Sequence, residues 1–325
     1  MTVSRRQFVH LAAGAAALPA ASRFAWAETY PARTVRIIAP NVPGGANDQH
    51  VRLITQWLSE RLGQPFVIEN RPGGGTNTGT ETVVRSTADG YTLLSVGPQS
   101  AINATLYDKL NFNFVRDIAP VASLSRDSSV VVVNPSVPAK TIPELIAFAK
   151  ANPSKLNMAS AGIGSLAHVA GELFKIMTGI DIVHVPYRGG APALTDLLGG
   201  KVQLMFPVMS ATIEYIKAGS LRALGVTTTT GSPALPEIPT VAEFVPGYEA
   251  STVYGIGAPR NTPAEIIDKL NKEINAALMD PKIKARIADL GGTALALSPA
   301  EYGKLIADET EKWGKVIRTA NIKPE

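Results

Sequence analysis

Two stretches carry residue types whose spacing could hold an anion without a metal or a nucleophile. Residues 157–172, Asn-Met-Ala-Ser-Ala-Gly-Ile-Gly-Ser-Leu-Ala-His-Val-Ala-Gly-Glu, lead a short apolar run into a Gly-spaced turn, and a helical pattern begins at Ser165. A turn of this kind gathers backbone N–H groups at the positive end of a helix, which favours a carboxylate or phosphate there. Pro40 to Gly45 (Pro-Asn-Val-Pro-Gly-Gly) repeats the grammar after a strand, with Asn47 or Asp48 placed to cap the next helix. The two turns are expected to face each other across a cleft.

Each of these residues also has a plainer role. Gly162 and Gly164 could exist only to allow a positive φ. The spacing Gly162-x-Gly164-x-x-Ala167 resembles a dinucleotide fingerprint, but Asp181 begins the following strand instead of ending it, where a ribose would need it. His168 falls with Glu172 and Lys175 opposite the apolar stripe Leu166, Val169, Ala170, Leu173 and Met177, so it is expected on a polar face or at a cleft rim. His168 and Glu172 stand at i, i+4, yet two ligands without a third make no metal site. Asp48 is a helix cap or a ligand contact, and Arg188 pairs with an anion or is solvated. Arg71 is expected to fix its own loop, and Trp57 and Trp313 to pack within helices.

An enzyme would need a nucleophile and a base. Ser165 and His168 lie three residues apart on one helix start, no G-x-S-x-G occurs, and His50, His168 and His184 form no ligand pattern. A hydrolase and a ligand sensor are the alternatives to a binding protein; no catalytic residue, cofactor or metal is expected.

The 325-residue chain is 45% hydrophobic, enough for two domains. It has no cysteine, so disulfides and thiol chemistry are excluded. Arg5 and Arg6, an apolar run from Leu11 to Ala21 and Ala25-Trp26-Ala27 form a twin-arginine export signal cleaved after Ala27. Removal of residues 1–27 takes away Arg5, Arg6 and Arg23 and no acid, which lowers the formal charge from +4 by three to +1. No Lys/Arg run is interleaved with aromatics, which argues against nucleic acid. No later apolar stretch approaches the roughly 18 to 20 residues that span a bilayer. A soluble periplasmic protein is expected.

Strands are expected at 35–39, 66–69, 91–96 and 130–133, then at 156–160, 181–185, 202–206 and 221–226. Helices fill the gaps, among them 165–177, 192–198 and 211–218, and three more close the chain near 263–278, 281–289 and 299–319. This alternation predicts parallel βαβ units. The Pro-studded segment after Val133 marks a domain crossover, and residues 252–257 read as the strand that returns the chain to the first domain.

Five motifs in order carry a family resemblance: Pro43-Gly44-Gly45-Ala46-Asn47-Asp48, Glu69-Asn70-Arg71-Pro72-Gly73, Asp89-Gly90-Tyr91-Thr92-Leu93-Leu94, Ser160-Ala161-Gly162-Ile163-Gly164-Ser165 with His168, and Val185-Pro186-Tyr187-Arg188-Gly189. Across essentially the whole mature chain the sequence resembles the Bug-type receptors, the extracytoplasmic components of tripartite tricarboxylate transporters. The resemblance implies a two-lobed α/β periplasmic binding protein, type II-like, with mostly parallel sheets flanked by helices and two crossover strands. Lobe 1 would be residues 28–127 plus 252–325, and lobe 2 residues 128–251. It further implies a monomer that takes a small organic anion through backbone amides and waters and hands it to membrane permease subunits. Carried over, the first clamp is Pro43, Gly44, Gly45, Asn47 and Asp48, with Gln99 and Ser100 nearby. The second is Ser160, Ala161, Gly162, Gly164, Ser165 and His168, with Tyr187, Arg188 and Gly189 on the wall. Many relatives follow Leu-Met-Phe with Asp and Asn; here Leu204-Met205-Phe206 is followed by Pro207, which tilts the pocket towards a purely anionic ligand or one with an apolar body.

Overall fold

The computed structural model describes residues 30–324, so the export signal, its cleavage point after Ala27 and Trp26 lie outside the described residues. The chain divides into two units, residues 1–32 and 33–325, and every element below belongs to the second. Its strands are β1 (Val35–Ala39), β2 (Phe66–Asn70), β3 (Thr92–Val96), β4 (Ile118–Ser128), β5 (Val130–Val133), β6 (Asn157–Ser160), β7 (Val183–Pro186), β8 (Leu204–Met205), β9 (Arg222–Val226), β10 (Ser251–Pro259) and β11 (Gly292–Ala294). The helices are α1 (Ala46–Leu62), α2 (Asn77–Val84), α3 (Pro98–Leu106), α4 (Phe114–Asp117), α5 (Ile142–Ala151), α6 (Leu166–Thr178), α7 (Gly190–Leu198), α8 (Ile213–Lys217), α9 (Ala264–Met279), α10 (Pro281–Asp289) and α11 (Pro299–Thr319).

The fold class is α/β with two sheets, ordered β11-β4-β10-β3-β1-β2 and β7-β6-β8-β5-β9. Parallel pairing is confined to β2-β1-β3 in one and β7-β6-β8 in the other; the remaining pairs are antiparallel, so each sheet is mixed. The antiparallel members include β4, β5 and β10, which flank the points where the chain passes between sheets. Val35, Ile37 and Ile38 of β1 and all four valines of β5 are fully buried, as expected of strands covered on both faces. The helix expected over 211–218 is instead a 3-10 turn at Met209–Ala211 followed by α8.

The chain leaves the six-stranded sheet through Ser129 and returns between β9 and β10. Thr227 pins these passages together. Its hydroxyl donates to the Ala250 carbonyl (2.6 Å), and its N–H donates to the Ser129 carbonyl (3.0 Å). The Ser129 N–H donates to the Thr227 hydroxyl at 3.1 Å. One apolar cluster also joins the two sides. Ile102 and Leu106 of α3 and Trp313, Val316 and Ile317 of α11 pack in the same core as Leu166, Val169 and Phe174 of α6. Trp313 is fully buried and Trp57 half-buried.

Candidate anion-binding cleft

A cleft of about 720 Å³ runs between the two sheets. Among the described residues that line it, none is charged and none is histidine. Five helices begin on it instead: α1 at Gly45 to Asn47, α2 at Gly75 and Thr76, α3 at Pro98 and Gln99, α6 at Ser165 to Ala167, and α7 at Gly190 and Ala191. Each helix start carries about half a positive charge on amides that have no partner within their own helix. The wall between them is largely apolar, with Leu106, Leu194, Phe206 and Pro207.

The local sequence keeps those amides open. The N-cap residues of α1, α3 and α7 are Gly45, Gly97 and Gly189, which have no side chain to accept from the first turn. Thr76 precedes α2 without making a side-chain cap bond. Ser165 caps α6, but it accepts from His168 N, leaving the Leu166 and Ala167 amides at the cleft. Away from the cleft, Thr141, Asp280 and Ser298 cap α5, α10 and α11 in the ordinary way, whereas α9 follows Pro263 uncapped. Asn103, in the second turn of α3, holds the start of α2 by donating to the Gly75 carbonyl (2.6 Å) and to Asn77 Oδ1 (3.0 Å).

In the first turn, Gly45 and Asn47 line the cleft, whereas Pro43 and Gly44 are exposed outside it. Asn47 is held by Asn41 and by the Ser95 hydroxyl. Asp48 is neither a first-turn cap nor a cleft residue. It is 1% exposed, and its carboxylate accepts from Gly44 N (3.0 Å), Arg52 Nε (2.7 Å) and Asn70 Nδ2 (3.0 Å). Burial pushes its pKa up, but these bonds and the Arg52 charge outweigh that and hold it below the ordinary carboxylate value. All its oxygens are committed to the protein, so it fixes the turn.

In the second turn, Ala161, Gly164 and Ser165 line the cleft, as does Gln99 opposite. Ser160 and Gly162 stand behind: the Ser160 hydroxyl accepts from Gly162 N (3.2 Å) and pairs with His184 Nε2 (2.7 Å). The expectation for His168 is corrected. It does share a helix face with Glu172 and Lys175, but β7 covers that face, leaving His168 5% exposed and stacked on His184 at 3.7 Å. Its Nδ1 accepts from Gly164 N (3.2 Å), so it carries no proton on that nitrogen. Burial, then the neighbouring His184 and Lys175 charges, lower its pKa to about 3; burial and Lys175 lower that of His184 to about 4.

The remaining expected residues divide. Pro207 lines the cleft and its carbonyl accepts from Val130 N. Ser100 is turned to the far side of α3, with its amide bonded to the Gly97 carbonyl. Tyr187 donates to Asp196 Oδ2 at 2.9 Å and packs on the core, Arg188 is exposed, and Gly189 is the N-cap of α7. The wall expected from Tyr187 and Arg188 is supplied instead by Gly190 and Ala191. Arg188→Ala is therefore expected to change ligand affinity by less than about threefold in calorimetry, since a buried charge-assisted bond would be worth about 1.5 kcal/mol or more. A larger loss would place the guanidinium in the site. The starts of α2 and α7 were missed because neither Gly75-Thr76 nor Gly190-Ala191 carries a charged side chain, and a lone threonine hydroxyl does not mark a ligand in sequence.

A family model described as the tripartite tricarboxylate transporter family receptor matches residues 50–322. The chain belongs to this receptor family. It is 37% identical to Protein BugT of Bordetella pertussis over 300 residues, covering 91% of this chain and 92% of that protein. Among solved structures, this receptor resembles the R. palustris protein Rpa4515 with adipate, at 36% identity and a TM-score of 0.81, covering 91% of this chain and 100% of the other. It also resembles MatC from Rhodopseudomonas palustris with bound malate, at 29% identity and a TM-score of 0.77, covering 89% and 100%. The family is one of solute-binding receptors, not an enzyme class. Among the described residues no helix is long and apolar enough to cross a membrane.

Proposed function

We propose that this receptor captures a small carboxylate-bearing metabolite in the periplasm, as a monomer, and delivers it to the membrane subunits of a tripartite transporter. The observation that carries the reading is the convergence of five helix starts on a cleft with no charged side chain. Fixed amides at a positive helix end favour an anion and need no counter-charge. The apolar wall at Leu194, Phe206 and Pro207 suits a ligand whose body is hydrocarbon. Adipate and malate in two relatives support the ligand class.

In this reading residues 28–127 with 252–325 form one lobe and 128–251 the other, and the Ser129, Thr227 and Ala250 bonds lie at the hinge. Closure brings the Gly45–Asn47 amides and the Leu166–Ala167 amides onto one carboxylate, in a space where water no longer competes. A thermal-shift panel of carboxylates and their neutral amides tests it. At about a hundredfold excess over Kd, a bound carboxylate stabilises by about 2.7 kcal/mol, a rise of several degrees, with the compound recovered intact. Equal stabilisation by the amides would remove the anion reading, and consumption of the compound would favour a hydrolase.

A further inference from the structure

The floor of the cleft holds polar atoms that the anion-binding amides do not explain. Ser129, between β4 and β5, and Thr252, at the start of β10, both line the cleft. They are 0% and 1% exposed; among the described residues the Ser129 hydroxyl has no hydrogen-bond partner, and the Thr252 hydroxyl has at most the Tyr254 hydroxyl two residues on. The Ser129 backbone is fully used, its N–H on the Thr227 hydroxyl and its carbonyl on Thr227 N, so the side chain alone is left over. A buried hydroxyl without a partner costs about 1–3 kcal/mol, and the Ser129 hydroxyl, beside a second hydroxyl with capacity to spare on the same cleft, calls for an occupant that bonds it.

What lies behind them decides the chemistry. Thr252 is the cross-strand partner of Asp127, which is 1% exposed and has one carboxylate oxygen without a hydrogen bond. Asp127 Oδ1 accepts from Ser125 and stands 3.4 Å from His50 Nε2, while His50 Nδ1 donates to the Ala46 carbonyl at 2.8 Å. A second ligand carboxylate on this floor would bring only further acceptors beside an Asp127 oxygen that already lacks a donor. A neutral group that both donates and accepts suits two hydroxyls.

We propose that Ser129 and Thr252 form a floor subsite for a hydroxyl group on the ligand, so that the receptor selects hydroxylated carboxylates over their plain counterparts. This rests on the carboxylate reading above. His50, held by its Nδ1 on the Ala46 carbonyl, packs beside Asp127 under the floor, and the Tyr254 ring, 4.8 Å from His50, closes its side.

The test uses pairs of probes that differ by one hydroxyl: succinate and malate, glutarate and 2-hydroxyglutarate, benzoate and 4-hydroxybenzoate, with aspartate as the amino counterpart of malate. Calorimetry on the purified protein is expected to show at least one hydroxylated member binding tenfold or more tighter than its partner. In Ser129→Ala that ratio falls to within about twofold while the plain carboxylate keeps its affinity. Thr252→Val, which keeps the shape and removes the hydroxyl, repeats the measurement should the serine variant fold poorly. Carboxylate binding with no discrimination in any pair, a ratio that survives in the variants, or aspartate binding as tightly as malate overturns the subsite alone. If no carboxylate in the set binds, the carboxylate reading falls and the subsite with it.

Discussion

Gly164→Val is expected to lower carboxylate affinity by about a hundredfold while both sheets remain folded. Gly164 sits at φ +73°, and an added Cβ would lie 2.3 Å from Leu106 Cδ2 across the cleft. The left-handed backbone costs a branched residue about 1–2 kcal/mol. The overlap adds a similar amount unless the turn retreats, which carries Ala161 and Ser165 away from the opposing helix starts. These costs fall on the free and bound protein alike and reach affinity only through the retreat of the turn; since each 1.4 kcal/mol is tenfold, losing about 2.7 kcal/mol of amide contacts gives the stated loss. Isothermal calorimetry on the variant and on Gly164→Val with Leu106→Ala checks it. The double variant relieves the overlap but not the backbone, so about tenfold should return. Unchanged affinity in the single variant, with native circular dichroism, would remove this turn from the site.

The second large effect is on stability in mild acid. Both stacked imidazoles have folded pKa values near 3 and 4, below the ordinary value of 6.5, so between these limits the unfolded chain binds more protons. Their contribution is complete above about pH 6.5 and is lost as the pH falls towards 4. At about 1.4 kcal/mol per unit, and allowing for the partial exposure of His184, a loss of at least about 2 kcal/mol is expected between pH 7 and 4.5. The charged groups facing the pair are Lys175, which opposes protonation, and Glu172, 3.9 Å from His168 Nε2. The depressed carboxylates act in a lower window: Asp48, Asp117 and Glu249 lose their contributions as the pH falls below about 4. Urea unfolding at the two pH values should show the loss roughly halved in His184→Phe, which keeps a stacking ring but cannot titrate. An undiminished loss would assign the acid response elsewhere.

Local signals carried most of the element reading. Val35–Ala39 announces a buried strand by its own apolar run, and Ser165 caps α6 by a bond to a residue three positions on. Where partners come from afar, the sequence was silent. No strand was expected over 118–128, where Ser123, Ser125, Asp127 and Ser128 interrupt the apolar pattern, yet β4 is an interior strand with β10 and β11 on its two sides. His168 was expected on a polar face or at a cleft rim, but β7 and His184, which no local pattern announces, cover the face it shares with Glu172. In the cleft, Gly45, Asn47, Gln99, Ala161, Gly164, Ser165 and Pro207 were legible, whereas Ser129 and Thr252 emerged only from the crossing of β4 and β10.

The glycines that precede α1, α3 and α7 set a limit on how this receptor can be made sturdier. Serine in place of glycine at an N-cap is worth about a few tenths of a kcal/mol to a helix, and Gly45, at φ −70° with no atom closer than 3.7 Å to an added Cβ, would accept one without strain. The hydroxyl would then bond the amides that the cleft offers. Selection for heat resistance alone would favour such substitutions, and each would trade uptake for robustness.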